Sequence, residues 1–388
     1  MSVRCLVYAP YSFNGQGPAR SCASILANFP PEISVELFIA RTRIRLPDNV
    51  RVHEALPPVV RRLPWKYLRA HSGAAVNRAF ARAVERADPS TTVAYMWPEP
   101  PLDLLRAVRA RGVPIVREMI NSALSTAAPL LDSAYRSLGF EESHGITDAM
   151  VAREVAELQE YDYLFASNPE VETSLTAQRI EPAKILPTAF GWDPERFATA
   201  ASGPRVERGV RVLFVGTVGV RKGIPQLLSA WEQAGVDGEL VLAGRVERPV
   251  ADLVNRHVSR GRVRLVGYVE DIAALYKSAD VFVFPTVEEG GPQVTYEAAG
   301  CGLPVITTPM GAARLVENGR TGFVIPSGDV EQLAAALREL GTNSALRRRL
   351  GAEARATAAR FDYRLVGLER GLRLKDIGER LPPRQIGI

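Results

Sequence analysis

The stretch from Asp280 to Thr307 reads DVFVFPTVEEGGPQVTYEAAGCGLPVIT. Val281–Phe284 is a short β-branched and aromatic run, the kind that packs on a pleated surface. It breaks at Pro285 into a loop carrying Glu288, Glu289, Gly290 and Gly291. Pro292 then opens a helical stretch to Gly300, a position where its missing N–H is no loss. A second apolar run, Pro304–Thr307, follows. Strand, loop, helix and strand in this order make a βαβ unit, with parallel strands and a right-handed crossover.

The same alternation extends in both directions. In the first half, strands are predicted at Val3–Tyr8, Ser34–Ile39, Thr92–Met96, Pro114–Arg117, Tyr163–Ala166 and Lys184–Leu186, with helices at 18–28, 70–86, 102–111, 148–160 and 171–177. In the second half, strands are predicted at Val212–Val215, Leu240–Ala243, Arg264–Val266, Val281–Phe284, Pro304–Thr307 and Gly322–Ile325. Helices fall between them, among them 225–233 and Ala312–Glu317, and 330–339 and 345–361 follow. This is an α/β chain with two Rossmann-like, doubly wound domains facing a central cleft, since ligands bind open sheets beyond their strand C-termini. The 388 residues suit two domains of ordinary size, each ~100–200 residues. The expected division is 1–198, a small-residue linker at 199–209, a second domain at 210–360, and a C-terminal helix and tail at 361–388 that crosses back to the first domain.

Composition is that of a globular protein, 46% hydrophobic and 23% charged, and no apolar run is long enough to span a bilayer. Cys5, Cys22 and Cys301 are an odd number without metal-ligand spacing, so neither a disulfide framework nor a zinc-thiolate site is expected. The N-terminus reads as a strand rather than a secretory signal, and the expected location is cytoplasmic. Of the net charge of +5, the segment Arg41–Ser90 holds more than all, with eleven basic against four acidic residues. That excess is either the solvated faces of an Arg-rich chain or a surface that meets something anionic. Trp65 and Tyr67 within RRLPWKYLRA make 41–86 a candidate for peripheral membrane contact.

Two clusters carry chemistry. In the first, Gly290 and Gly291 allow close backbone approach to a ligand. The amides of Gln293 and Val294 are orphan donors at a partially positive helix end, an anion site. Glu289 and Glu297, with seven residues between them, each offer a carboxylate that accepts two hydroxyl hydrogen bonds, one on either side of a phosphate group. In the second, FVGTVGVRKGIP, a strand runs into a loop with Gly216 and Thr217, and then Arg221 and Lys222, whose charges suit a diphosphate. The glycine spacing and Gly223 after the lysine exclude a Walker A loop.

The chain at this point resembles the retaining glycosyltransferases of the large bacterial GT-B group, family 4. The resemblance rests on EEGGPQVTYEAAGCGLPVI, VGTVGVRKGIPQLLSAW, RLVGYVEDIAALYKSADVFVFPT and NGRTGFVIPSGD, and more thinly on Phe13–Pro18 and KILPTAFGWDPERF. It implies a nucleotide-diphosphate sugar donor held by the second domain and an acceptor sugar, glycan or lipid-linked glycan held by the first. It further implies transfer with retention, no cofactor and no metal; nucleic acid is not among the expected partners. Glu289 would bind donor-sugar hydroxyls, Glu297 the ribose, and Arg221 and Lys222 the diphosphate. The Gly290–Val294 backbone would cradle the sugar and its phosphate, Gly15 and Gly17 would close on the donor, and Gly267 and Tyr268 would lie near the base. Three positions depart from the family pattern. Thr217 stands where an arginine is usual, Gly290-Gly291-Pro292 replaces Gly-Phe-Gly, and Arg117-Glu118-Met119-Ile120-Asn121 stands where relatives carry a histidine. Glu118 or Asn121 would then take over contact near the reacting carbon, whereas His144 reads as an ordinary loop residue.

Other readings meet specific obstacles. Gly15-Gln16-Gly17 hints at a nicotinamide site, but Arg20 stands at the third glycine position and Glu36 lies inside a strand. A sugar-nucleotide epimerase of the same fold, or a catalytically silent glycan-binding protein, is the remaining alternative. Paired-carboxylate glycoside hydrolysis is disfavoured beside a phosphate-type helix end.

Overall fold

The computed structural model describes residues 3–98, 100–139, 144–198, 209–269 and 271–384, the side chains of 69–71 excepted. The expected linker, 199–209, lies outside these but for Gly209. Seven parallel strands form the first sheet, in spatial order Val50–Glu54, Ile33–Ile39, Val3–Tyr8, Thr92–Met96, Ile115–Met119, Tyr163–Ala166 and Ile185–Pro187. Six form the second, in the order Val263–Gly267, Gly238–Ala243, Val210–Val215, Val281–Phe284, Val305–Thr307 and Gly322–Val324. Helices cover both faces, so the central strands are buried on both sides and read as continuous apolar runs rather than alternating ones. In each sheet the strand order reverses beside the first strand: Val3–Tyr8 pairs with both Ile33–Ile39 and Thr92–Met96, and Val210–Val215 with both Gly238–Ala243 and Val281–Phe284. The crevice beyond such a reversal is where open α/β sheets bind ligands.

Several elements differ from expectation. Val50–Glu54 forms an edge strand and Leu124–Ser137 a helix with Pro129 inside it. The helix expected at 70–86 already begins at Trp65. The helix expected at Ala312–Glu317 is instead one turn, Pro309–Ala312, because Ala313 takes a left-handed φ of 53° that ends it.

The C-terminal helix Tyr363–Gly378 packs on the first unit. A Cβ at Gly367 would lie 2.5 Å from the Ile25 carbonyl oxygen, and one at Gly378 2.5 Å from Val3. From this helix Arg370 enters the first unit, fully buried, and donates to Glu118 and, at 2.9 Å, to the Ala189 carbonyl. The Tyr95 hydroxyl donates to the same Glu118 oxygen. This corrects the expectation for Glu118: the carboxylate is wholly buried beneath the cleft and anchors the returning helix. Burial pushes its carboxyl up, against the pull of Arg370 and Tyr95. Removing one member of a buried ion pair strands the other charge, at a cost of ~3–5 kcal/mol. Glu118→Ala is therefore expected to lower the urea midpoint of unfolding steeply. An unchanged midpoint would refute the anchoring role.

Candidate active site

A cavity of about 1030 Å³ opens between the two units at the strand C-termini. One wall is the loop Asn14–Gly17 with Arg20; the other comprises Gly216, Thr217, Gly244, Arg245, Tyr268, Val269 and the first turns of the Gln293–Gly300 helix. Gly216 and Gly244 have φ of 145° and 152°, which only glycine adopts readily, and a Cβ on Gly244 would lie 1.8 Å from the Gly216 carbonyl oxygen. Two strand-end loops thus touch through their backbones and leave the space above them open. Opposite, Gly15 and Gly17 at φ of 81° and 55° turn the loop so that Gln16 donates across the cleft to the Tyr268 hydroxyl, at 2.9 Å. Gly267, at φ 67°, sets the turn that presents Tyr268.

Glu297 lines this cavity from the helix. It accepts from the Tyr276 hydroxyl at 3.2 Å and lies 3.5 Å from the Arg196 guanidinium. Burial pushes its carboxyl up, only partly offset by Arg20, Arg196 and the Tyr276 hydrogen bond. Gln293 and Val294, on the first turn, line the cavity as well, but the Gln293 side chain is held in place. It donates to Ser21 Oγ at 2.5 Å and accepts from the Tyr363 hydroxyl at 2.9 Å, so one amide ties the helix tip to the first unit and to the returning helix.

Glu289 stands at the other end of the loop. Its carboxylate pairs with Lys222, whose ammonium also lies 5.4 Å from the centre of the Phe284 ring. Burial alone would push the Glu289 carboxyl up, but Lys222 and Arg221 outweigh it and hold it below the usual carboxylate range. The two acids of the pair therefore sit in opposite electrostatic settings.

The neighbouring Glu288 was not singled out by the sequence, and it does the joining. It is 2% exposed and accepts from the backbone amide of Ser122 at 3.1 Å and from its hydroxyl at 2.8 Å, while Arg221 pairs with it at 2.8 Å. Arg221 also donates to Asn121 Oδ1 at 2.9 Å. Asn121 and Arg221 are thus brought together at the seam between the units rather than in the cavity lining. Arg221 and Lys222 are both occupied by acids. The arginines that line the cavity are Arg20, Arg196 and Arg245, which come from three separated segments and carry no shared motif.

Gly290 and Gly291 likewise serve the seam. A Cβ on Gly290 would fall 2.2 Å from the Ile120 carbonyl oxygen, and one on Gly291 1.8 Å from the Phe190 ring. The glycines expected to admit a ligand instead admit the first unit's backbone and an aromatic ring. Ser167 donates to the Gly290 carbonyl at 2.9 Å and Asn168 to that of Met310 at 2.8 Å. His144 is bonded to Asp132 at 2.6 Å and does not line the cleft. Among the described residues no group of three or more His, Cys, Asp or Glu side chains is arranged to hold a metal ion.

Two facing parallel units with a cleft between their strand C-termini and a C-terminal helix returning to the first define the GT-B architecture. Residues 209–343 match the profile of the family described as glycosyl transferases group 1. Among curated proteins, the chain is 32% identical over 145 residues to a capsular polysaccharide biosynthesis glycosyltransferase, CapM, of Staphylococcus aureus, covering 36% of this chain and 38% of that one. It is 33% identical over 196 residues to a phosphatidyl-myo-inositol mannosyltransferase of Mycobacterium leprae, covering 47% and 50%. The matches thus span half or less of either relative. Among solved structures, a sucrose-phosphate synthase from Thermosynechococcus elongatus superposes with a TM-score of 0.70 at 20% identity, over 95% of this chain and 97% of that one. HepE of Anabaena, in complex with UDP-glucose, gives 0.68 at 15% identity over 97% and 100%. At these identities the likeness is one of fold.

The seam makes a direct prediction. Gly290→Ala places a methyl group against the Ile120 carbonyl, so the units must part or the loop must move. Small-angle scattering is expected to give a larger radius of gyration than the parent's, and limited proteolysis faster cleavage. A variant indistinguishable on both counts would show that the contact does not hold the units together.

Proposed function

We propose that the chain transfers a sugar from a nucleoside diphosphate donor to an acceptor hydroxyl, with retention of anomeric configuration and without a metal. The observation that carries this reading is a cleft lined by Glu297, by Arg20, Arg196 and Arg245 and by the first turn of the Gln293–Gly300 helix, with Glu289 at the other end of the same loop–helix unit, paired with Lys222. Glu297, hydrogen-bonded to Tyr276 and only partly compensated by Arg20 and Arg196, suits a diol such as ribose. Tyr268, 68% exposed in the same cavity, offers a ring against which a base can lie. The diphosphate between them meets Arg20, Arg196 and Arg245 and the amides of Gln293 and Val294. These fixed positive groups supply the stabilisation of the departing diphosphate that a metal ion otherwise gives. Glu289, kept ionised by Lys222, is read as the residue that holds the sugar hydroxyls.

In the reaction so read, the acceptor oxygen bonds to the anomeric carbon on the face from which the diphosphate leaves. The carbon–oxygen bond to phosphate breaks, and the acceptor proton passes to the leaving phosphate oxygen. Glu289 positions the sugar and forms no bond to it. Glu289→Ala is expected to abolish turnover of a nucleotide sugar chosen by thermal-stabilisation screening, while the bare nucleotide still stabilises the variant. In the same assay a chelator is expected to leave parental turnover unchanged. Full turnover by Glu289→Ala would overturn its role, and loss of turnover with the chelator would overturn metal independence.

The acceptor is read as a glycan or lipid-linked glycan, met at the inner face of a membrane by the basic segment 41–86. No helix among the described residues is long and apolar enough to cross a bilayer. What supports peripheral contact is the exposure of Val59, Leu63 and Tyr67, at 80%, 50% and 64%, beside the exposed Arg62 and Lys66. Not every cation of the segment faces outward. Arg41 is buried and donates to the carbonyls of Arg61 and Leu63, each at 2.6 Å, and Arg61 pairs with Glu54, so these two shape the turn that displays Leu63. Anionic vesicles at low salt are expected to co-sediment the protein, and Leu63→Asp to reduce the bound fraction severalfold. Equal binding to neutral and anionic vesicles, or none to either, would count against the reading.

A further inference from the structure

Consecutive carbonyls of the first unit, those of Pro187, Thr188 and Ala189, each accept from a different arginine of the second half of the chain. Arg373 reaches Pro187 at 2.5 Å, Arg314 reaches Thr188 at 2.7 Å and Arg370 reaches Ala189 at 2.9 Å. Arg370 and Arg373 belong to the helix Tyr363–Gly378, which already packs on the first unit. Arg314 comes from the second unit itself, and its side chain is 14% exposed. Its guanidinium also donates to the Ala166 carbonyl at 3.1 Å and pairs with Glu172, so these acceptors all lie in the first unit. Ala313, just before it, takes a φ of 53° with a ψ of −133°, a conformation that a residue with a Cβ holds only where its surroundings impose it. Those surroundings come from both sides. Asn168 of the first unit donates to the Met310 carbonyl, and Thr295 Oγ1, on the Gln293–Gly300 helix, donates to that of Gly311 at 2.9 Å.

The backbone held by the arginines continues towards the cleft. Directly after Ala189, Phe190 occupies the space that a side chain on Gly291 would need. Trp192 does the same at Gly300, whose Cβ would fall 2.4 Å from the indole ring. Trp192 is itself held, donating its backbone N–H to the Phe361 carbonyl at 3.0 Å and its indole N–H to that of Ala358 at 2.8 Å. Further on, Arg196 lies 3.5 Å from Glu297. One short stretch, 187–196, therefore grips the Gln293–Gly300 helix just before its start, along its length and at its end.

We propose that Arg314 is a positioning residue: it locks the 187–189 backbone of the first unit to the second, and 187–196 in turn sets where the helix tip and Glu297 stand. Arginine suits the task because its planar fork of donors serves two carbonyls and a carboxylate at once, which the point charge of a lysine does not. The consequence for turnover rests on the donor reading above; the placement of the helix does not.

Two measurements on the full chain test this. Arg314→Met keeps an apolar stem and removes the donated bonds. Hydrogen exchange at the amides of 293–300 is expected to speed about tenfold, the worth of one charge-assisted hydrogen bond, and to speed less in the strand Val210–Val215. With the nucleotide sugar chosen by the stabilisation screen, KM should rise by a similar factor while kcat stays within about twofold of the parent's. Arg314→Lys, which keeps the charge beside Glu172, should fall between the two. Glu172→Gln leaves both carbonyl bonds in place and serves where Arg314→Met does not fold. It is expected to speed exchange at 293–300, in the other unit, about threefold, the worth of a partly exposed ion pair. Parental exchange at 293–300, or equal acceleration in Val210–Val215, would make Arg314 a plain staple between the units and overturn the proposal. Faster exchange at 293–300 with an unchanged KM would uphold the positioning and overturn the donor reading of that helix.

Discussion

The structure turns on the contact between the Glu288–Gly291 loop and the backbone at Ile120–Ser122. It combines two constraints that are individually strict. Gly290 leaves no room for a side chain against the Ile120 carbonyl. Glu288, almost wholly buried, must find donors or pay the desolvation of a carboxylate, and Ser122 and Arg221 supply them. Because the same loop continues into Glu289 on one side and the Gln293–Gly300 helix on the other, joining the units and shaping the cleft are one event. A shift of the seam therefore moves the acid and the helix tip together.

This coupling explains why adjacent acids have different surroundings. Glu288 faces the first unit, where Ser122 donates to it, and takes Arg221 of its own unit as counter-charge, whereas Glu289 pairs with Lys222 and is held below the usual carboxylate range. Glu297, a helix-length away, has Arg196 and a tyrosine hydroxyl for company and feels burial more strongly than either compensates. The two ends of the loop–helix unit thus differ electrostatically: Lys222 and Arg221 favour the ionised form of Glu289, whereas burial works against that of Glu297.

Much of the architecture was legible because parallel strands buried on both faces are continuous apolar runs, and the second unit's strands fall where those runs fall. Val50–Glu54 escaped notice because an edge strand with Arg51, His53 and Glu54 lacks that signature. Leu124–Ser137 escaped because Pro129 reads as a breaker when only local sequence is weighed. At the site, the spacing of Glu289 and Glu297 was visible, since both belong to one loop–helix unit. The fate of Glu118 was not, because its partner Arg370 is 252 residues away and nothing local marks a strand glutamate as buried. The glycines show the same limit in another form. Sequence says that Gly290 and Gly291 permit close approach, but not of what, and Ile120 and Phe190 lie far upstream.

The placement of Gln16 ties the two walls of the cleft into one geometry. A loop whose flanking residues are both glycines at positive φ can hold a side chain out across the cleft, because neither neighbour contributes a Cβ beside it. Were Gly15 or Gly17 replaced by a residue with a side chain, the loop would have to leave its left-handed turns, and Gln16 would lose its reach to Tyr268. The bridge between the units is therefore fixed at both ends, by backbone conformation on the first unit and by a hydrogen bond to the second.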